Sequence, residues 1–175
     1  MPPVTYNIDA THTVVHFSVR HMMVSHVRGE FTKTTGTVVF DPDNPTASSV
    51  EASIDATSIH TRDAQRDGHL KSADFLDVEK FPTITFKSTS VKPSGNGGEV
   101  TGDLTIHGVT RPVTLEVEGP VPEIKDPWGL HRIGGSATAK INRKDFGLTW
   151  NSALETGGVM VGDEVKITIE FEAVR

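Results

Sequence analysis

Apolar and polar residues alternate along most of this chain with a period of two, which is typical of β-strands that bury one face. Glycine, proline, aspartate and asparagine separate the alternating runs, as expected for hairpin turns. The pattern predicts strands over residues 15–21, 28–40, 50–56, 82–87, 100–106, 113–117, 133–141 and 165–171. In the second of these the apolar positions change parity, which indicates a β-bulge near Gly36.

The alternation stops within residues 62–88. A short α-helix is favoured there by residues that are mostly good helix formers without β-branching: Ala64, Gln65, Arg66, His69, Leu70 and Lys71. Thr61 is the expected N-cap, and Asp63 suits the positive end of the helix. One interpretation is a solvated helix with surface ion pairs from Asp63 to Arg66 and from Asp67 to Lys71.

The other interpretation of this helix is a lid. Arg62, Arg66 and His69 follow helical spacing and share one face. In a lid, this basic face would meet the anionic head of a ligand.

The predicted strands follow one another at hairpin spacing, without alternating strands and helices. This favours an all-β fold, an antiparallel barrel of about eight strands with one short helix near residues 61–73, in a single domain over residues 1–175. Such a barrel is either filled by side chains or holds one small ligand. Gly135, Ala137 and Ala139 lie between inward isoleucines, which favours a cavity.

Composition narrows the function. The net charge of −6 argues against nucleic-acid binding, and the lack of cysteine excludes disulfides and thiolate chemistry. The N-terminus lacks a basic segment followed by an apolar run, and no stretch has the length of a membrane span. We therefore expect a cytoplasmic protein without stable membrane insertion. A periplasmic location would require that a leader segment had been removed.

Histidines suggest a metal site as one alternative function, because His12, His16, His21 and His26 crowd the first strand. On a strand, however, His12 and His16 share a face while His21 points the other way. The spacing therefore disfavours a metal site.

A small-molecule enzyme, either a hydrolase or an isomerase, is the second alternative. The sequence has no G-x-S-x-G, HExxH, Walker or GxGxxG motif. Ser72, His69 and Asp74 are too close in sequence to align readily as nucleophile, base and orienting group. We expect no catalytic residues.

Four motifs resemble the YceI-like polyisoprenoid-binding proteins. They are YNIDATHTVVHFSVRH at residues 6–21, RDGHLKSADFLDVEKFPTITF at 66–86, GDLTIHGVTRPVTLEV at 102–117 and INRKDFGLTWN at 141–151. The resemblance implies an elongated lipocalin-like barrel whose apolar channel binds, transports or stores a long isoprenoid, quinone-like or other amphiphilic lipid. It implies no cofactor besides this lipid, and it suggests a homodimer.

The resemblance also implies a set of ligand contacts. These are Phe17, His21, Arg66, His69, Leu70, Phe75, Phe86, Phe146 and Trp150. The inward positions of the alternating strands add Val19, Phe40 and Leu104 to the predicted set.

Overall fold

A computed structural model describes residues 2–154 and 158–175. The strands are β1 (Val4–Ile8), β2 (Val14–His21), β3 (Ser25–Phe31), β4 (Thr34–Phe40), β5 (Ser49–Asp55), β6 (Ile59–His60), β7 (Thr83–Ser94), β8 (Gly97–Ile106), β9 (Val109–Glu118), β10 (Ile124–Lys125), β11 (His131–Asn142) and β12 (Val161–Val174). The helix α1 spans Ala64–Lys71, and short 3-10 helices span Ala10–His12, Pro45–Ala47, Ala56–Ser58 and Arg143–Phe146. No helix in these described ranges is long and apolar enough to cross a membrane.

The strands form one antiparallel sheet that closes into a barrel. The ring runs β11–β9–β8–β7–β5–β4–β1–β12, and a long β12–β11 ladder completes it. β2 continues the position of β1 along β12, while β3 and β6 continue those of β4 and β5. The predicted all-β barrel of about eight strands with one short helix is therefore confirmed.

The single strand predicted over residues 28–40 is wrong, because the chain leaves the sheet at Thr32 and Lys33. The backbone amides of these two residues donate to the hydroxyl of Ser58, at 3.1 and 3.2 Å. This interruption moves the channel-facing positions from odd numbers in β3 to even numbers in β4. The β4–β5 ladder passes through Gly36 without a change of register, so the predicted bulge is absent there.

The barrel has two ends, which the strand registers define. The helix end carries α1, the β2–β3 turn, the β8–β9 turn and the 3-10 helix Arg143–Phe146. The far end carries the 3-10 helix Pro45–Ala47, the β7–β8 turn and the segment 119–130. Buried apolar side chains form one cluster in the helix half and a smaller one, Tyr6 with Ile133 and Ala173, in the far half.

Candidate functional site

An internal channel of about 740 Å³ runs between the inward faces of the strands. Its wall follows the alternation of the sequence, since β12 contributes Val165, Ile167, Ile169 and Phe171. Most of the lining side chains are apolar, and the volume lies within the range of about 300–1,000 Å³ found for small-molecule sites. The cavity predicted from the sequence is therefore present.

The channel reaches both ends of the barrel. Trp150 lines it at the helix end, and Phe40 and Pro120 line it at the far end. The lining part of β12 extends from Val161 to Phe171. At about 3.4 Å per residue and a typical strand tilt, this corresponds to a length of roughly 25 Å along the barrel axis. The shape suits an extended chain better than a compact ligand.

Small inward residues do not all create this space. A Cβ on Gly102 would lie 2.5 Å from the carbonyl oxygen of Lys87 and 2.6 Å from the ring of Phe86. One on Gly135 would lie 2.4 Å from the carbonyl oxygen of Glu118 and 3.1 Å from the ring of Phe171. These two glycines therefore make room for a neighbouring strand and a ring, and they do not line the channel. Ala137 does line it, as predicted.

The start of α1 differs from the sequence prediction. The carboxylate of Asp63 accepts the backbone N–H groups of Gln65 and Arg66, at 3.0 and 3.1 Å. Asp63 is thus the N-cap, and the prediction of Thr61 is wrong. The Thr61 hydroxyl instead donates to the Asp67 carboxylate and accepts from Nε of Arg66 at 2.9 Å.

Bonds to Thr61 replace the ion pairs predicted along α1. Nη2 of Arg66 donates to the Thr61 carbonyl at 2.6 Å, and the buried Asp67 carboxylate accepts the Thr61 amide at 2.9 Å. Arg62 precedes the helix in the left-handed backbone region, with φ 68°, so it does not extend the predicted basic face. The helix is fastened to the segment before it, and Arg66, His69 and Leu70 face the channel.

Three aromatic rings meet at the helix end of the channel, and we call them the mouth cluster: His69, Phe75 and Trp150. Ring centroids are 5.1 Å apart for His69 and Phe75, 4.8 Å for His69 and Trp150, and 5.3 Å for Phe75 and Trp150. Tilted and edge-to-face contacts of this kind are favourable for aromatic rings. Nε2 of His69 lies 2.9 Å from the Asp74 carboxylate, which fixes the imidazole in the cluster.

A buried arginine holds the segment that carries Trp150. Arg143 is 3% exposed and lines the channel. Its guanidinium donates to the carbonyls of Gly162 at 2.8 Å, Leu148 at 2.6 Å and Trp150 at 2.9 Å. Burial lowers the pKa of Arg143, because a desolvated cation is disfavoured. The carbonyl bonds compensate this cost locally, so Arg143 connects β12 to the wall of the mouth.

Most of the predicted contact residues lie in the channel wall. They are Phe17, Val19, His21, Phe40, Arg66, His69, Leu70, Phe75, Phe86, Leu104 and Trp150. Phe146 is the exception, because its side chain is 1% exposed and packs in the apolar core beside the channel. Its predicted place in the wall is wrong, and ligand binding by the others stays a prediction.

Sequence reasoning missed several polar wall residues, including Thr13, Arg20, Gln65 and Arg143. Strand alternation predicts that Arg20 points out of the barrel, because it lies between the inward positions Val19 and His21 of β2. Arg143 belongs to the motif at residues 141–151, which resembles the family. The sequence feature that could have marked it is an arginine three residues before the aromatic residue Phe146.

The structure places only one of the four histidines named for a metal site, His12, in a group of potential metal ligands. Among the described residues, one group, Asp9 with His12 and Glu172, brings potential ligand atoms together. Nη1 of Arg132 already lies between the two carboxylates, at 2.6 Å from Asp9 and 2.7 Å from Glu172. The guanidinium supplies the positive charge that a metal ion would supply. His21 lines the channel instead.

Ser72, His69 and Asp74 do not form the hydrogen bonds of a catalytic triad. Oγ of Ser72 donates to the backbone carbonyl of His69 at 2.6 Å, while the imidazole of His69 faces Asp74. The hydroxyl is therefore not presented to the base, as nucleophilic catalysis would require.

A polar network fastens the segment 119–130 at the far end. Glu123 accepts from Tyr6 at 2.7 Å, from Nε of Arg175 at 2.7 Å, and lies 3.0 Å from Nδ1 of His131. The hydrogen bond from Arg175, helped by that from Tyr6, lowers the pKa of Glu123 to about 2. The carboxylate is thus ionised at neutral pH and ties this segment to the C-terminal strand.

Comparisons with known proteins agree with this architecture. The sequence profile of the YceI-like domain matches residues 6–173. Protein YceI of Escherichia coli is 42% identical over 172 residues, which cover 97% of this chain and 86% of that protein. The crystal structure of BcnA from Burkholderia cenocepacia has a TM-score of 0.79 at 27% identity, covering 95% of this chain and 99% of that one. A polyisoprenoid binding domain from Saccharophagus degradans has a TM-score of 0.65 at 15% identity, covering 96% and 97% of the two chains.

Proposed function

Because this chain belongs to the YceI-like domain family, we propose that it binds a long isoprenoid, quinone-like or other amphiphilic lipid and carries or stores it without changing it. The observation behind this proposal is the apolar channel of about 740 Å³ that extends between the two barrel ends. The polyisoprenoid binding domain with the same fold is consistent with such a ligand.

The apolar wall supplies the affinity in this proposal. Each 100 Å² of lipid tail removed from water contributes about 2.5 kcal/mol, a factor of about 70 in affinity. A tail that fills the channel therefore needs no covalent bond. The same burial holds the tail away from water during carriage.

The lipid head belongs at the helix end in this proposal. Arg20, His21, Arg66 and His69 line that end, whereas the middle of the wall is apolar. Nε and Nη2 of Arg66 are held by Thr61, while Nη1 has no hydrogen-bond partner among the described residues. A fixed guanidinium with a spare donor suits a polar or anionic head.

Native mass spectrometry of gently purified protein tests the proposal. We expect a lipid adduct, and we expect lipid extracted after incubation to be chemically unchanged. Ala137→Phe places a ring in the channel and should remove the adduct, whereas Ser136→Phe, on the opposite face of the same strand, should keep it. Ala52→Phe repeats the test from another wall position. Protein without an adduct that also fails to bind parinaric acid, a fluorescent fatty acid, would refute lipid binding.

A further inference from the structure

The β2–β3 turn ends in an exposed apolar tip, made of Met22, Met23 and Val24. Their exposed fractions are 43%, 54% and 82%. Turns usually carry glycine, asparagine or aspartate, above all where φ is positive. Met22 and Met23 nevertheless have φ values of 52° and 61°. This backbone conformation disfavours L-residues with long side chains, so folding alone does not explain the apolar tip.

The strand ends next to the tip are basic, while the acid of β3, Glu30, lies at the other end of that strand. Arg20 pairs with His26 across the β2–β3 ladder, and Arg28 lies opposite Ser18. Residues 10–29 contain no aspartate or glutamate, although the whole chain has a net charge of −6. Positive charge is therefore concentrated here against the overall balance of the protein.

The nearby carboxylates have basic neighbours of their own. On β3, Glu30 lies 3.7 Å from Nδ1 of His16. On the adjacent β12, Asp163 lies 3.4 Å from Nζ of Lys144, and Glu164 lies 3.6 Å from Nζ of Lys140. Both acids are thus matched by lysines of their own.

The tip lies beside the channel mouth. The backbone N–H of Met22 donates to the carbonyl of Met160 at 2.7 Å, and Met160 lines the channel. Arg20 and His21, which precede the tip, also line it. A surface that accepts the tip would therefore face the opening.

We propose that the apolar tip inserts into the surface of an anionic lipid bilayer, with the basic strands against the lipid head groups. Apolar insertion combined with basic residues is the usual basis of reversible binding to such surfaces. Three side chains on a convex turn are far fewer than the about 20–30 residues per side of a stable protein interface. The inference rests on the proposed lipid ligand, because it explains how the channel mouth reaches a lipid source.

The far end offers a comparison within the same molecule. Val121, Ile124 and Trp128 are also exposed there, at 57%, 59% and 79%. The acids of their segment, Glu123 and Asp126, are paired with Arg175 and Arg132. This segment therefore has less positive charge free to meet an anionic surface than the strands behind the tip. This makes the far end a matched control.

Sedimentation with vesicles tests the proposal on the full chain. We expect binding to vesicles of equal parts phosphatidylcholine and phosphatidylglycerol, and much weaker binding to phosphatidylcholine alone. Val24→Asp should lower binding to the mixed vesicles at least tenfold, whereas Val121→Asp should leave it unchanged. Arg28→Gln should lower it about fivefold, and Lys92→Gln, at the far end, should have little effect.

Three outcomes would overturn the docking surface: no binding by the unaltered protein, equal binding to both vesicle types, or equal losses for the two valine variants. Parinaric acid binding in the same samples separates this proposal from the previous one. A protein that binds the fatty acid but not the vesicles retains the lipid ligand and refutes the docking surface. Val24→Asp protein that binds the fatty acid normally but not the vesicles supports it.

Discussion

Arg143 offers the most direct test of how the channel mouth is built. Its guanidinium contacts four backbone carbonyls, those already described and that of Val161 at 3.3 Å. Arg143→Met keeps a long apolar stem but leaves these carbonyls without their donor. Because the site is buried, water cannot readily replace the guanidinium.

The expected loss is large. Hydrogen bonds to a charged group contribute about 1.5–3 kcal/mol each, and removing one member of a buried charged network costs about 3–5 kcal/mol. We expect a loss of about 3–5 kcal/mol in the free energy of unfolding, or roughly 6–20 °C in Tm for a chain of this size. Arg143→Lys should lose less, because an ammonium group keeps up to three donors.

Urea unfolding followed by circular dichroism measures the loss, and Arg111→Met is the matched control. Arg111 is exposed and makes one long hydrogen bond, 3.5 Å to the Thr110 carbonyl. In a Trp128→Phe background, the fluorescence of Trp150 reports on the mouth cluster and should shift to the red in Arg143→Met. A loss below about 1 kcal/mol, or an unchanged spectrum, would refute the anchoring role.

Further changes test other parts of the fold. The hydroxyl of Thr34 is buried without a partner among the described residues, so Thr34→Val should raise the free energy of unfolding by up to about 1 kcal/mol. Thr13, equally buried, bonds to the backbone of β12, so Thr13→Val should lower it by about 1–3 kcal/mol; the opposite order in urea would contradict this account. The low pKa of Glu123 means that its ionised form stabilises the fold above about pH 4.5 and that this contribution is lost as the pH falls towards 2. In Glu123→Gln, the free energy of unfolding should therefore fall less steeply with decreasing pH than in the unaltered protein, and an equal slope would contradict this. Asp63→Ala should cost about 1 kcal/mol and Asp63→Asn much less, and equal costs would argue against capping.

The strands could be predicted from the sequence because the burial of one face imposes a period of two. Where the strands break could not. A two-residue departure at Thr32 and Lys33 and a one-residue bulge both change parity, and only the bond to Ser58, distant in sequence, distinguishes them. Similarly, Thr61 and Asp63 are both good caps by local chemistry, but Asp67 and Arg66 engage Thr61.

The candidate site was predictable to the extent that strand parity and motifs mark an inner wall. The motif around Phe146 contains both a core aromatic and a channel arginine, and spacing does not tell which of them faces the cavity. Glycines were also ambiguous, because an inward glycine either enlarges a cavity or accommodates a ring. Gly102 does the second, against Phe86.

The pairings of β12 determine when the channel can form during protein synthesis. This strand bonds to β11 on one side and to β1 and β2 on the other, so it joins the earliest strands of the barrel to a late one. During synthesis the channel therefore cannot close until residues 161–174 have left the ribosome. Contacts of such long sequence separation form slowly. Until then the apolar wall is exposed to solvent, so the closed channel exists only after β12 has been translated.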